Sequence, residues 1–161
     1  MSFDFSTLIT DRTVADVERA RQLNAKAIET MTAEELAEFI AGLKGAYNVS
    51  DLNRVGACVA ALTQLLHDVG INVTTSPKND WLESDFPTPR LLNAYLADIA
   101  ALRAAITMPA AAPTVPLDLD DPTTQEVNNI ERILQLLEAS LQTMKQTFVP
   151  CGEALCGGEY L

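Results

Sequence analysis

LKGAYNVSDLNRVGACVAALTQLLHDV, residues 43–69, is the stretch whose reading decides the fold. Leu52, Val55, Val59, Leu62, Leu66 and Val69 recur at steps of three and four, which places all six on one stripe of a helix. A stripe of that width is a core face. Asn48 and Asp51 ahead of it have capping-box spacing: the Asn48 side chain accepts from an early helical N–H, and the Asp51 carboxylate reaches back and complements the dipole. The helix is therefore expected to start near Val49, with Gly45 closing the element before it and Gly70 ending it.

A second copy of this helix start lies near the C-terminus. NVSDLNRV, Asn48–Val55, aligns without gaps on TTQEVNNI, Thr123–Ile130, so that Asn48, Asp51 and Asn53 correspond to Thr123, Glu126 and Asn128. From Val127 the apolar spacing runs through Ile130, Leu134, Leu137, Leu141, Met144 and Phe148, about three heptads. Asparagine is a mediocre helix former, so its recurrence at the fifth position after the cap asks for a reason. Two readings are open: a brace for the loop entering the helix, or a solvent-facing amide.

Around these two helices the chain reads as one all-α bundle of about five helices. Residues 1–12 form an extended N-terminal arm whose Phe3 and Phe5 need a groove, in this chain or in a neighbouring subunit. Residues 13–107 hold the bundle proper. Thr13 with Asp16 opens a helix expected from Val14 to about Glu29, with Val17, Ala20, Ala27 and Ile28 inward. Thr32 with Glu35 opens a shorter one with Leu36, Phe39, Ile40 and Leu43 on its apolar face. After Gly70 a small extended excursion is expected, with Trp81 and Phe86 as aromatic plugs into the core. Thr88 and Pro89 start a helix to about Thr107, buried along Leu92, Tyr95, Leu96, Ile99, Leu102 and Ile106. Residues 108–122 are a proline-rich, semi-rigid linker, 123–148 the long heptad-patterned helix, and 149–161 a short C-terminal hook.

The chain has 161 residues, 48% of them apolar, enough for one core. Twenty-two acidic against eleven basic residues leave a net charge of −11, and no Lys/Arg cluster occurs, which argues against a nucleic-acid partner. No apolar run is long enough for membrane insertion and no signal-peptide pattern opens the chain, so assembly in a cytoplasm is expected.

Chemistry-bearing motifs are sparse. The single histidine, His67, sits late in its helix and reads as a capping or surface residue. Cys58 lies among Ala57, Val59 and Ala60 as a small core residue, while Cys151 and Cys156 lack the spacing of a zinc site. Asp118, Asp120 and Asp121 begin like a calcium loop without its glycine or distal glutamate. Glu34 and Glu35 pair on an exposed face with no apolar pocket around them. No catalytic, cofactor-binding or metal-ligating set is expected, and the chain reads as a non-enzyme without a cofactor.

In LKGAYNVSDLNRVG and TTQEVNNIERIL, residues 43–56 and 123–134, the chain resembles a recurrent domain in structural proteins of tailed bacteriophages and prophages of Gram-positive bacteria. The likeness extends to MTAEE at Met31–Glu35, NDW at Asn79–Trp81 and PTP at Pro87–Pro89. The doublets Gly152-Glu153 and Gly158-Glu159 are similar to the paired Ser-Gly-Glu ending of such chains, with cysteine and glycine in place of serine. An N-x-x-[DE]-L-N-x-[VI] helix start is also similar to one in tail-fibre and baseplate proteins. The resemblance covers most of the chain after Asp11 and implies a virion component, assembled in the bacterial cytoplasm with other virion structural proteins and copies of itself. Subunit contacts are then expected at Phe3, Phe5, Val127, Ile130, Leu134, Leu137, Leu141, Met144 and Phe148, which could equally be plain core. The alternative is a soluble intracellular helical adaptor.

Overall fold

The computed structural model describes residues 3–147, which form five helices: α1 Val14–Asn24, α2 Ala33–Ala41, α3 Val49–Asp68, α4 Pro89–Ala105 and α5 Thr124–Thr147. Phe5–Thr7 and Ile28–Thr30 add 3₁₀ turns, and no strand occurs among the described residues. The expected hook at 149–161, Phe148, Cys151 and Cys156 lie outside the described residues. Reciprocal capping boxes start α1 (Thr13, Asp16), α2 (Thr32, Glu35) and α3 (Asn48, Asp51). Thr88 caps α4 ahead of Pro89, and the Glu126 amide donates to Thr123 Oγ1 while Glu126 accepts from the Thr123 amide at the head of α5.

The core is made by α3, α4 and α5. Val55, Leu62 and Leu66 meet Ile99 and Leu102 of α4 and Ile130, Leu134 and Leu137 of α5, all removed from solvent. Each such side chain contributes on the order of 2 kcal/mol by leaving water.

These three helices run in the same direction. Gly45 and Tyr47, just ahead of α3, border Thr123, Thr124 and Val127 at the head of α5; Arg54 then meets Glu131 one turn along; and Cys58, a turn further on α3, lies in the field of Glu131 and then of Glu138, two turns further on α5. Parallel neighbours need long returns, and the chain supplies them as extended straps. Residues 71–81 descend α3: Val73 lies against His67, Thr75 against Thr63, the Lys78 carbonyl over Gly56, and Trp81 against Asn53. The side chains of Ile71, Val73 and Thr75 are half-buried while Asn72, Thr74 and Ser76 face out, so the strap has strand-like alternation without a strand partner. The proline-rich linker returns beside α4, where its Pro113 carbonyl accepts from Arg103 Nε, and buries Leu119 before reaching Thr123. The N-terminal arm descends α5 likewise, from Ile9 at Glu131 to Arg12 at Asn128.

Between the arm and α3, the helices α1 and α2 form a satellite with its own small cluster of Ala20, Leu23 and Leu43, flanked by Phe39 and Ala46. It differs from the expected pair of helices in extent and in burial. Helix α1 stops at Asn24 rather than near Glu29, because Leu23 is the last residue its face can bury and Ala27 and Ile28 are exposed. Ile40 also points to solvent, and besides the packing of Phe39 on the Ala20 and Leu23 cluster, α2 is tied to α1 by the Arg19–Glu38 ion pair and to the turn after α1 by Lys26–Glu35. Of the two expected aromatic plugs, Trp81 is buried and Phe86 is not, since Phe86 lies past the turn where Leu82 accepts from the Asp85 amide, ahead of the α4 cap.

Candidate functional site

The densest polar constellation lies where the arm crosses the starts of α3 and α5. The Arg12 guanidinium, itself buried, places Nη2 at 2.7 Å from Asp51 Oδ1 and 2.8 Å from Glu131 Oε1, and Nη1 donates to the Ile9 carbonyl at 2.8 Å. From the opposite side Arg54 donates Nε and Nη2 to Glu131 at 3.0 and 2.8 Å, and Nη2 also to Asp51. Backbone amides complete the carboxylate shells: Ile9 donates to Glu131 Oε2, which also takes Arg54 Nε, and Asn48 donates to Asp51 Oδ2. Two cations thus offset two anions, the condition under which buried charge is tolerated. Burial alone would drag the Arg54 pKa down; Glu131 and then Asp51 more than reverse that and hold it above its ordinary value.

Tyr47 completes the layer. Its ring lies 5.6 Å from the Arg12 guanidinium carbon, and its hydroxyl hydrogen-bonds that of Tyr95. Burial pushes both phenols well above their ordinary range. Every carboxylate oxygen of Asp51 and Glu131 in this cluster has a partner, whereas the buried Arg12 Nε has none.

Asn53 and Asn128 do brace a loop, but not the one entering their own helix. Asn53 accepts from the Trp81 amide at 2.7 Å and donates to the Trp81 carbonyl at 2.9 Å; Asn128 does the same to Arg12 at 3.0 and 2.9 Å. Each amide side chain thus stands in for a strand neighbour and holds one strap residue by both its backbone groups. The two clasped residues also fold back alike, Trp81 Nε1 onto the Lys78 carbonyl and Arg12 Nη1 onto the Ile9 carbonyl, each three residues earlier. Asn48, Asp51, Thr123 and Glu126 cap as their spacing indicates, with Asp51 serving the ion cluster as well.

Arg12, Arg54 and Glu131 were not singled out by sequence reasoning. The available signal was Glu131, which falls four residues after Val127 and three before Leu134, an acid on a core stripe that must have cationic partners.

The residues expected at subunit contacts are mostly used inside the chain. Val127, Ile130, Leu134, Leu137 and Leu141 are buried in its own core, and Phe3, Phe5 and Met144 pack partly buried against it. The groove for the arm therefore belongs to this chain, with Phe3 and Phe5 edge to face at 5.0 Å. His67 is exposed, and its Nε2 lies 2.8 Å from the Val73 carbonyl, holding the top of the strap. Cys58 is a buried core residue whose thiol burial pushes up.

Two open clefts flank the satellite. One of about 560 Å³ lies between α1 and the start of α5, lined by Val14, Val17, Tyr47, Val127, Arg21 and Glu18 among others. The other, of about 530 Å³, lies where α2 ends and α3 begins, with Phe39, Ile40, Ala46 and Val49 beside Asn48 and Glu83. No group of three or more His, Cys, Asp or Glu side chains among the described residues is arranged to hold a metal ion, and no described helix is long and apolar enough to cross a membrane. No family model, curated protein or solved structure matches the chain significantly.

Proposed function

We propose that this chain is a non-enzymatic assembly protein and that it serves as a structural subunit in the tail region of a phage or phage-like particle, at a tail, baseplate or fibre attachment. The observation that carries the assembly role is exposed apolar surface around the α2–α3 junction and the turn before α4. Ile40, Leu82 and Phe86 are 75%, 63% and 87% exposed, although the chain has a complete core without them. Large apolar side chains kept in water beside an open cleft are the surface of a protein that meets another protein. The internal neutralisation of Arg12, Arg54, Asp51 and Glu131 supports the same reading, because the most concentrated ionic chemistry is spent on holding the arm to α3 and α5. The location in a virion rests on the sequence resemblance at residues 43–56 and 123–134.

One observation favours the alternative of a helical adaptor: the α5 stripe, which an assembly subunit could have shared with a neighbour, is covered at home. Particle fractionation separates the two. Particles from the strain carrying the gene, banded on a density gradient and washed in high salt, are expected to retain the chain when probed with an antibody against it. Recovery of the chain only in the particle-free fraction would overturn the virion reading in favour of the adaptor.

A further inference from the structure

We propose that the cleft at the C-terminal end of α2 is a docking site for a basic segment of another protein, with an apolar side chain seated against Phe39, Ile40 and Val49 and a lysine or arginine facing Glu83. This deepens the assembly role proposed above and rests on it.

The argument starts from α2. It is amphipathic, yet none of its nine residues is fully buried. Leu36 and Phe39 are half-covered, Phe39 against the Ala20, Leu23 and Leu43 cluster, and Ile40 is in solvent, so the apolar face is closed only in part. The cleft beyond it continues that face through Ala46 and Val49. Of its polar features, Glu83 and the carbonyl end of α2 favour positive charge, while the start of α3 beside them is already capped by Asn48, and Asn24 and Asn53 are neutral. Helix α2 has no basic residue in its last turn, so the partial negative charge of its C-terminal carbonyls is uncompensated from within the helix. Glu83, the one charged residue lining the cleft, has no salt-bridge partner among the described residues. The cations nearby are engaged elsewhere. Lys26 is held by Glu35, Arg19 by Glu38, and Lys44 by Asp11 and Asp16. A chain of net charge −11 that places an uncovered apolar seat inside such a rim suits a basic partner and repels a copy of itself.

The test uses the full chain labelled with nitrogen-15 and a synthetic 14-residue helical peptide of leucine and lysine, titrated at physiological ionic strength. Amide shifts are expected to concentrate at Phe39–Leu43, Ala46–Ser50 and Glu83. Two variants separate a seat from charge attraction alone. Ile40→Glu makes the chain more acidic, so binding driven only by charge would tighten; loss of the seat is expected to weaken it at least about tenfold. Glu83→Lys is expected to weaken binding several-fold, and Asp118→Lys, the same charge change on the linker, to leave it unchanged. Ile40 is exposed, so its variant keeps the fold, which circular dichroism checks.

Shifts scattered over the acidic surface, or equal effects of Glu83→Lys and Asp118→Lys, would overturn the proposal. So would wild-type self-association in the ultracentrifuge that Ile40→Glu abolishes, since the occupant would then be a second copy. Failure of this site and failure of the virion reading are distinguishable: particles that incorporate the Ile40→Glu chain normally would remove the site from assembly, whereas absence of the wild-type chain from particles would leave the mapped cleft standing.

Discussion

At the scale of single residues, the asparagines at 53 and 128 show how a side chain in the middle of a helix can organise a distant loop. Replacing either with alanine leaves a backbone N–H and C=O of a strap residue without partners in a half-buried position, at a cost of about 1–3 kcal/mol. Asn93 provides the control, since it stands five residues after its cap, Thr88, in the same register but is exposed. Urea denaturation is expected to show a clear loss for Asn53→Ala and Asn128→Ala and little change for Asn93→Ala; equal losses at all three would mean that the amides act only through the helix. Glu131 is under heavier constraint. With Glu131→Gln two guanidinium groups face a single carboxylate, and by the usual cost of stranding a buried charge the chain is expected to lose about 3 kcal/mol in the same measurement. The sequence exposed the oddity of an amide at the fifth position but not its purpose, because the partner is a backbone 28 residues away in one case and 116 in the other.

At the scale of elements, α3, α4 and α5 were legible because each has a cap and an apolar stripe long enough to average over its neighbours. The match between two helix starts is in fact a match among three: Thr88 to Asn93 repeats the spacing of Asn48 to Asn53 and Thr123 to Asn128. Its different intervening residues, Pro-Arg-Leu-Leu, hid it. The satellite was harder to read. The stripe of α1 loses its face after Leu23, and Ile40 continues the period of α2 without meeting anything, so periodicity marked apolar faces without saying which are covered. Gly56 could not be explained by sequence either, since a glycine inside a helix ordinarily costs stability against alanine. Here a Cβ would lie 2.2 Å from the Lys78 carbonyl oxygen, inside the strap. Gly56→Ala is therefore expected to destabilise by roughly 2 kcal/mol despite the better helix former, with the strap displaced. Hydrogen exchange would show the Ser76 and Trp81 amides, bonded to Asp98 and Asn53, losing protection; a variant more stable than the parent would mean that the strap adjusts freely.

At the scale of the whole molecule, three parallel helices are joined by straps that descend the helix before them, and the arm closes the circuit on α5. That topology was not legible, since extended straps have no period of their own and their partners are carbonyls and amides rather than residue types. One consequence is that Cys58 and Tyr95 are buried, and Tyr47 half-buried, beside the ion layer, and these groups shape how stability responds to pH. Burial pushes Cys58, Tyr47 and Tyr95 above their ordinary values of 9.0 and 10.0, so the folded state holds these protons more tightly than the unfolded one. Their contribution is complete below about pH 9 and is lost as pH rises through and beyond those values. On the acid side, hydrogen bonds from Thr13 to Asp16, from Lys26 to Glu35 and from Thr123 to Glu126 hold three capping carboxylates below their ordinary values. Their contribution is present above about pH 4 to 5 and lost as pH falls, with Asp98, raised by burial, working in the opposite sense. Urea midpoints measured from pH 3 to 11 are expected to form a plateau that falls at both ends. In a Cys58→Ala chain the alkaline fall is expected to begin about one unit higher, because the groups that remain to drive it, the tyrosines and then Lys78 held by Asp80, start from higher ordinary values. An alkaline limb that does not move would assign the loss to the phenols and Lys78 and place the Cys58 thiol outside the titrating core.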